Sequence, residues 1–224
     1  MPILYRFMSA RSAISTIESM RLRVGRIVDL NDPFDCSPHF VGNDASDREK
    51  ILAEAINKKI LADRSDKVGL LCFTRTWKDP VLWSHYADAH RGIALIIKQE
   101  SSQMLFNVKY SNKRPPVPAA AVHGNMNQME LIKAMASSFT VKSPTWRYEQ
   151  ETRIIVKLNT CDPIGGDYFI PLPSKDLVGI ILGLRCDYSP EYFKVIFNKL
   201  GPRKPKIWVA KKSDTRFSLV RGEA

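Results

Sequence analysis

No stretch of this chain approaches the roughly 18 to 20 uninterrupted apolar residues that a membrane-spanning helix needs. The most apolar run, Leu177 to Leu184, is strand-sized and broken by glycines, so no membrane partner is expected. The opening Met-Pro-Ile-Leu-Tyr-Arg has no basic segment followed by an apolar core and a small-residue cleavage site, which gives the expectation of a soluble, cytoplasmic protein. Cysteine is sparse: Cys36, Cys72, Cys161 and Cys186 lie far apart without paired spacing, so reduced thiols are expected rather than a disulfide framework. Also missing are a glycine-rich phosphate loop, a Gly-x-Ser-x-Gly elbow and a Rossmann fingerprint. Their absence removes the P-loop, serine-hydrolase and classical dehydrogenase classes. Internal repeats and low-complexity segments are absent too.

What is present suffices for a full core: 224 residues with 44% hydrophobic content. One domain is expected over 1–224, with a core spanning about residues 3–200 and a basic C-terminal segment, 201–224, forming the last strands or a tail. Lys and Arg number 34 against 23 Asp and Glu, a formal charge of +11 that favours phosphate-bearing partners. The excess is densest near the end, where Arg203, Lys204, Lys206, Lys211, Lys212, Arg216 and Arg221 face only Asp214 and Glu223. That segment reads either as a nucleic-acid contact or as a solvated basic face.

Periodicity predicts a mixed list of elements. Ile3, Tyr5 and Met8 alternate as a strand, and Ala13, Ile14, Ile17 and Met20 recur at helical spacing behind a capping Ser9. Leu22 to Leu30 reads as a strand ended by the turn signal Asn31-Asp32-Pro33. Helices are expected over 44–61 and 124–139, the latter carrying Met126, Met129, Ile132 and Met135 as a core stripe. Between them, Val68 to Phe73 is a buried strand, Asp79-Pro80 opens a short helix through Tyr86, and Ile93 to Ile97 and Leu105 to Tyr110 are strands. Thr152 to Leu158 and Tyr168 to Leu172 read as antiparallel strands joined by the loop Cys161 to Gly166. Asp176 to Leu184 is a buried strand, Pro190 to Leu200 a helix, and Lys206 to Val209 with Phe217 to Val220 a last strand pair. Irregular alternation of this kind predicts α+β architecture with a mixed or mostly antiparallel sheet and flanking helices, not a doubly wound parallel sheet.

Three polar-aromatic clusters interrupt this scaffold: Asn31 to Asp35, Trp83 to Asp88, and Trp146 to Arg153. The first reads on its own as a tight turn with Phe34 plugged into the core. His85 is expected either as a buried histidine bonded to Asp32 or Asp35, or as a proton-transfer group. A metal site from His85, Asp88, His90, Cys36 and His39 is disfavoured, because no recognisable ligand pairs complete it and a five-step helical spacing puts the two histidines on poorly aligned faces. Glu149 and Glu151, two apart on an extended segment, point to one face. Their plainer alternative is a surface strand in which both pair with Arg147 and Arg153.

Leu4-Tyr5-Arg6, Asn31 to Asp35, Cys72-Phe73-Thr74, Trp83 to Ala87 with His90 and Gly92, and Trp146, Tyr148, Glu149, Glu151 and Arg153 together resemble a widespread bacterial group, the domain of unknown function 2971 family. The order of motifs is also similar to that of ADP-ribosyltransferases. There a first-strand Arg or His holds the NAD ribose, a middle Ser, Thr or Tyr supports the nicotinamide pocket, and a late Glu drives transfer. That resemblance implies an ADP-ribosyltransferase-like fold and enzyme using NAD as substrate, with a role in bacterial conflict or phage defence. Glu151 then stabilises the cationic sugar, Glu149 orients the acceptor and His85 moves a proton. Arg6, Tyr5, Thr74, Tyr86, Trp83 and Tyr148 would hold the dinucleotide, and a nucleic acid or protein would be the acceptor. Two alternatives stand beside it. One is a nuclease or hydrolase built on Asp32, Asp35, His85, Glu149 and Glu151, with or without a divalent ion. The other is a non-catalytic basic module that binds nucleic acid or protein.

Overall fold

Along the strand β4 (Ile93–Lys98), Ile93, Leu95 and Ile97 enter one apolar cluster while Ala94 and Ile96 enter another. A strand's two-residue period gives this result only when both faces of its sheet are covered. The computed structural model describes residues 2–39, 47–48, 51, 54–55, 58, 65–99, 105–116, 137–201 and 204–223. Helix α1 (Ala10–Ser19) covers the first face with Ala13 and Ile17, joined by Phe193, Ile196 and Phe197 of α3 (Pro190–Lys199). Helix α2 (Pro80–Tyr86) covers the second face with Trp83.

Each helix begins where the sequence supplies a cap. Ser9 accepts a bond from the Ser12 amide, Asp79 from Val81 and Ser189 from Tyr192, and Pro80 and Pro190 fill first-turn positions where no amide donor is needed. The expected helices over 44–61 and 124–139 fall largely outside the described residues.

Strands β1 (Ile3–Met8), β2 (Arg21–Arg26), β3 (Val68–Thr74), β9 (Asp162–Ile164), β10 (Asp167–Pro171), β11 (Leu177–Leu182), β12 (Lys206–Lys212) and β13 (Leu219–Glu223) join β4 in the order β13-β12-β11-β4-β1-β3-β2-β10-β9. Strand β8 (Glu151–Lys157) pairs along the whole of β3, and β5 (Phe106–Asn107) pairs with β8. Every pairing in this sheet is antiparallel except β11 with β12, which α3 connects. A separate two-stranded parallel pair joins β6 (Lys109–Tyr110) to β7 (Val141–Lys142). The architecture is α+β, with a large mixed and mostly antiparallel sheet, as the irregular alternation predicts.

The sheet splits at β3. On one side β3 is paired throughout with β8, but on the other it meets β1 only at Tyr5↔Thr74 and β2 only at Gly25↔Leu70 and Arg26↔Gly69. Leu71, Cys72 and Phe73 therefore have no registered strand partner on that side, and a gap opens between β1 and β2. Arg6 spans it, donating from Nη2 to the Arg23 carbonyl at 2.6 Å.

Several sequence-based expectations need correction. The strand from Leu22 ends at Arg26 and continues as a 3-10 turn, Ile27–Asp29. Leu105 to Tyr110 is two strands, broken where the Val108 amide turns to the Glu151 carbonyl. β8 and β10 do not pair with each other; β8 joins β3 and β10 joins β2, while the connection between them contains β9, which forms a hairpin with β10. Phe217 lies outside the last strand, which starts at Leu219.

Candidate functional site

The register of the three central strands sets Tyr5, Thr74 and Glu151 side by side, because Tyr5 pairs with Thr74 and Thr74 with Glu151. Cross-strand partners share a face, so these residues form one row. Arg153 and Cys72 are opposed in the same way, one step further along. At this point the sheet split opens a cavity of about 300 Å³ lined by Arg6, Tyr86, Lys142, Glu149, Asn31 and Asp35 together with the row itself. Residues of both strand parities, Tyr5 beside Arg6 and Phe73 beside Thr74, line the same space because the sheet is open there. All three polar-aromatic clusters thus send side chains to one place.

The first cluster reaches it through a built turn. Asp32 Oδ1 accepts the Phe34 amide at 2.9 Å and the Asp32 carbonyl accepts the Asp35 amide at 3.0 Å. This folds the loop back and turns Asp35 inward, where it is buried. Phe34 does not plug the core as expected: it is 64% exposed and sits 5.9 Å from the Arg114 guanidinium. Phe34 follows the Asp32-Pro33 corner, and the turn that buries Asp35 carries it outward.

Arg153 is the centre of the charge arrangement. Its Nε donates to Glu151 Oε1 at 2.7 Å, Nη2 to Glu151 Oε2 at 2.8 Å and Asp35 Oδ2 at 2.5 Å, and Nη1 to Asp35 Oδ1 at 2.8 Å and the Phe139 carbonyl at 3.0 Å. All five guanidinium N–H groups are satisfied, the condition under which a buried arginine is tolerated. Lys142 adds a second buried cation, 2.7 Å from Glu149 Oε2, 3.5 Å from Glu151 Oε2 and 3.6 Å from Asp35 Oδ2. Its ammonium also lies 4.6 Å from the Trp146 ring centroid. Burial works to lower the lysine's pKa, but the three carboxylates outweigh it and hold the ammonium charged.

The two glutamates differ although both are buried, at 4% and 5% exposure. Glu151 has both oxygens on Arg153, and this ion pair outweighs burial and keeps its carboxyl below the ordinary range. Glu149 is pushed the other way: burial raises its pKa against the opposing pull of Lys142 and of the Tyr86 hydroxyl. Tyr86 donates to Glu149 Oε1 and itself accepts from Asn31 Nδ2 at 3.1 Å. Burial and the glutamate together raise the phenol well above its usual value. With three carboxylates against two cations, full ionisation leaves the cluster one negative charge, and a proton on Glu149 removes it.

Glu149 and Glu151 converge by a route different from the expected extended segment. Trp146 to Glu149 belong to a 3-10 turn, Pro144–Glu149; Gln150 takes the left-handed conformation with φ 45°, and Glu151 opens β8. The surface strand of the plainer reading is not found: both glutamates are buried, Glu151 pairs with Arg153 and Glu149 with Lys142, and Arg147 takes no part in the described ion pairs.

The remaining candidates divide between the cavity, its surroundings and the core. Arg6 lines the cavity with Nη1 buried and without a hydrogen-bond partner, and burial lowers its pKa to about 10. Thr74 lines it while its hydroxyl closes a local turn, donating to the Thr76 carbonyl at 3.0 Å. Tyr5 lines it and accepts from Arg221 Nη2 at 3.1 Å. His85 is exposed and does not line the cavity; its Nδ1 meets the Tyr148 hydroxyl at 2.9 Å rather than an aspartate. Tyr148 is likewise outside the lining, with its phenol raised to about 12 by burial and by Glu149. Trp83 must be withdrawn as a dinucleotide contact: it is fully buried against Phe7 and donates from Nε1 to the Trp77 carbonyl at 2.7 Å.

The proposed hydrolase set does not assemble either, since Asp32 is spent on its turn and His85 stands outside the cavity. Among the described residues no group of three His, Cys, Asp or Glu is arranged to hold a metal. His90 instead meets Ser84 Oγ at 3.2 Å. Lys142 escaped sequence reading because a lysine between Val141 and Ser143 carries no periodic or motif signal. Only the tertiary placement of the short β7 buries it.

No curated protein and no solved structure matches the chain, so the likeness of motif order to ADP-ribosyltransferases rests on the residues alone. A family match covers the segment supplying Tyr86, Lys142, Glu149, Glu151 and Arg153: residues 82–154 match the family described as "Protein of unknown function (DUF2971)".

Proposed function

We propose that the cavity is the donor site of an ADP-ribosyltransferase-like enzyme that cleaves the nicotinamide–ribose bond of NAD and passes the ribosyl group to a macromolecular acceptor. The observation that carries this reading is the meeting of Arg6, Thr74 and the Glu149–Glu151 pair, from three distant segments, around one cavity. At about 300 Å³ that cavity lies at the small end of ligand sites and suits one nucleoside-sized half of a dinucleotide. Arg6, with its free and buried Nη1, is the donor for a ribose or phosphate oxygen.

Bond cleavage sends the electron pair to the departing nicotinamide and leaves positive charge on the sugar. A fixed anion beside that carbon stabilises the transition state more than the ground state. Glu151, immobilised by Arg153, is suited to this electrostatic task and poorly suited to moving protons. Glu149 has the complementary character. Its raised pKa and its hydrogen bond from Tyr86 suit it to receive the proton released when the acceptor nucleophile attacks the sugar. The roles of the two glutamates follow from their different partners, and His85 has no part in this scheme.

The test is incubation of the purified protein with NAD labelled in the nicotinamide ring, with and without nucleic-acid and protein acceptors. Nicotinamide release is expected, falling about 10²- to 10⁴-fold in Glu149→Gln. Absence of both NAD binding and nicotinamide release, or release untouched by Glu149→Gln, would remove the proposal.

A further inference from the structure

The β12–β13 hairpin ends in a loop, residues 213–218, that is held in place. The Ser213 amide donates to the Ser218 carbonyl at 3.0 Å and the Ser218 amide to the Arg216 carbonyl at 2.8 Å. Just beyond it, Leu219 is buried and its amide donates to the Lys78 carbonyl at 2.9 Å, tying the hairpin to the core. On this anchored loop Phe217 projects fully exposed, the most exposed of the large hydrophobic residues described. It borders a groove of about 700 Å³ that also takes in Arg185, Lys212 and Arg216, with Asp214 as the only acid. The three cations are exposed and belong to no ion pair among the described residues. The groove shares no lining residue with the cavity between β1 and β2.

A single exposed aromatic needs no explanation by itself. An aromatic fixed beside a concave surface with three unpaired cations has a specific use. A ring face stacks an unpaired base while arginine and lysine hold the flanking phosphates, and this combination is the usual one for single-stranded nucleic acid. Insertion into a lipid surface fits less well, because Phe217 is surrounded in its loop by Ser213, Asp214, Thr215, Arg216 and Ser218 and has no second apolar residue beside it. A phosphopeptide would engage the cations but would leave the ring without a role. We infer that the groove beside Phe217 binds a single strand of nucleic acid, with one base stacked on Phe217 and the backbone held by Arg185, Lys212 and Arg216. This goes beyond the NAD reading and stands or falls independently of it.

Fluorescence anisotropy with labelled 12-nucleotide single strands of mixed sequence, one DNA and one RNA, tests the inference and shows which sugar is preferred. Binding of either is expected to weaken roughly 20-fold when salt rises fourfold, the response of about three neutralised phosphates on a single strand. Phe217→Ala is expected to weaken binding about 5- to 150-fold, the loss of one stacked base. The change removes no core packing, so the melting temperature should be unchanged. Lys212→Gln with Arg216→Gln should flatten the salt dependence. The inference is overturned by failure of both strands to bind at low salt, by equal affinity for the matching duplex, by full binding in Phe217→Ala, or by capture of a phosphoserine peptide in place of the strands.

Discussion

Arg153 shows at the residue scale how an apparently ordinary strand arginine governs a site. Four of its five donors hold Asp35 and Glu151 in place, and neither carboxylate has enough other partners to be buried as an anion without it. Arg153→Ala should therefore cost about 3 to 5 kcal/mol, the range for removing one partner of a buried ion pair. Urea unfolding followed by fluorescence measures this directly, and a cost under about 1 kcal/mol would show that water reaches the cluster and replaces the arginine. The sequence displayed Glu149, Glu151 and Arg153 plainly, because acids and aromatics crowded together stand out against an aliphatic scaffold. What it could not display was occupancy. Whether a carboxylate is tied down by an arginine two residues away or free to take a proton depends on where Asp35 and Lys142 arrive from, more than a hundred positions apart in the chain. Trp83 and His85 illustrate the same limit: two residues apart in one motif, they end in the core and at the surface because a short helix points them in different directions.

Elements were legible to the extent that their reasons are local. Caps at Ser9, Asp79 and Ser189 and the helical spacing behind them suffice to define α1, α2 and α3, and the apolar runs suffice for β3, β4 and β11. Partner choice was not local. β8 passes over β10 to pair with β3, because pairing depends on which edge is open in the folded sheet, not on which strand comes next. The turn from the 3-10 segment into β8 was hidden for a related reason: Gln150 adopts φ 45° with nothing in its side chain to announce it. This conformation costs a side-chain-bearing residue about 1 to 2 kcal/mol relative to right-handed alternatives. Glycine has no such cost but gives up more entropy on folding, about 0.5 to 1 kcal/mol. Gln150→Gly should accordingly raise stability by no more than about 1.5 kcal/mol and preserve nicotinamide release. Gln150→Val, whose branched side chain is excluded from this region, should lower the melting temperature and reduce release by moving Glu149 away from Glu151. Thermal denaturation and the release assay on both variants separate the two cases, and equal behaviour of Gly and Val would show that the turn does not set the spacing of the glutamates.

For the whole molecule, the buried cluster makes stability depend on pH in two opposite senses. Glu151 has a folded-state pKa below its ordinary value, so its contribution is complete above the ordinary carboxylate pKa and is lost as pH falls through the lower folded value. Glu149 has a folded-state pKa above its ordinary value, so between the two the native chain holds a proton that the unfolded chain has released. In that interval stability falls as pH rises, by at most about 1.4 kcal/mol per pH unit for one proton. The molecule should therefore be most stable near the ordinary carboxylate pKa, not at its basic isoelectric point. Unfolding free energies measured in urea at intervals from acid to neutral pH should trace such a maximum. In Glu149→Gln the decline on the neutral side should disappear while the loss in acid persists. A Glu149→Gln profile superimposable on that of the parent protein would mean that Glu149 titrates alike in the folded and unfolded chain, without the raised pKa on which its role as proton acceptor rests.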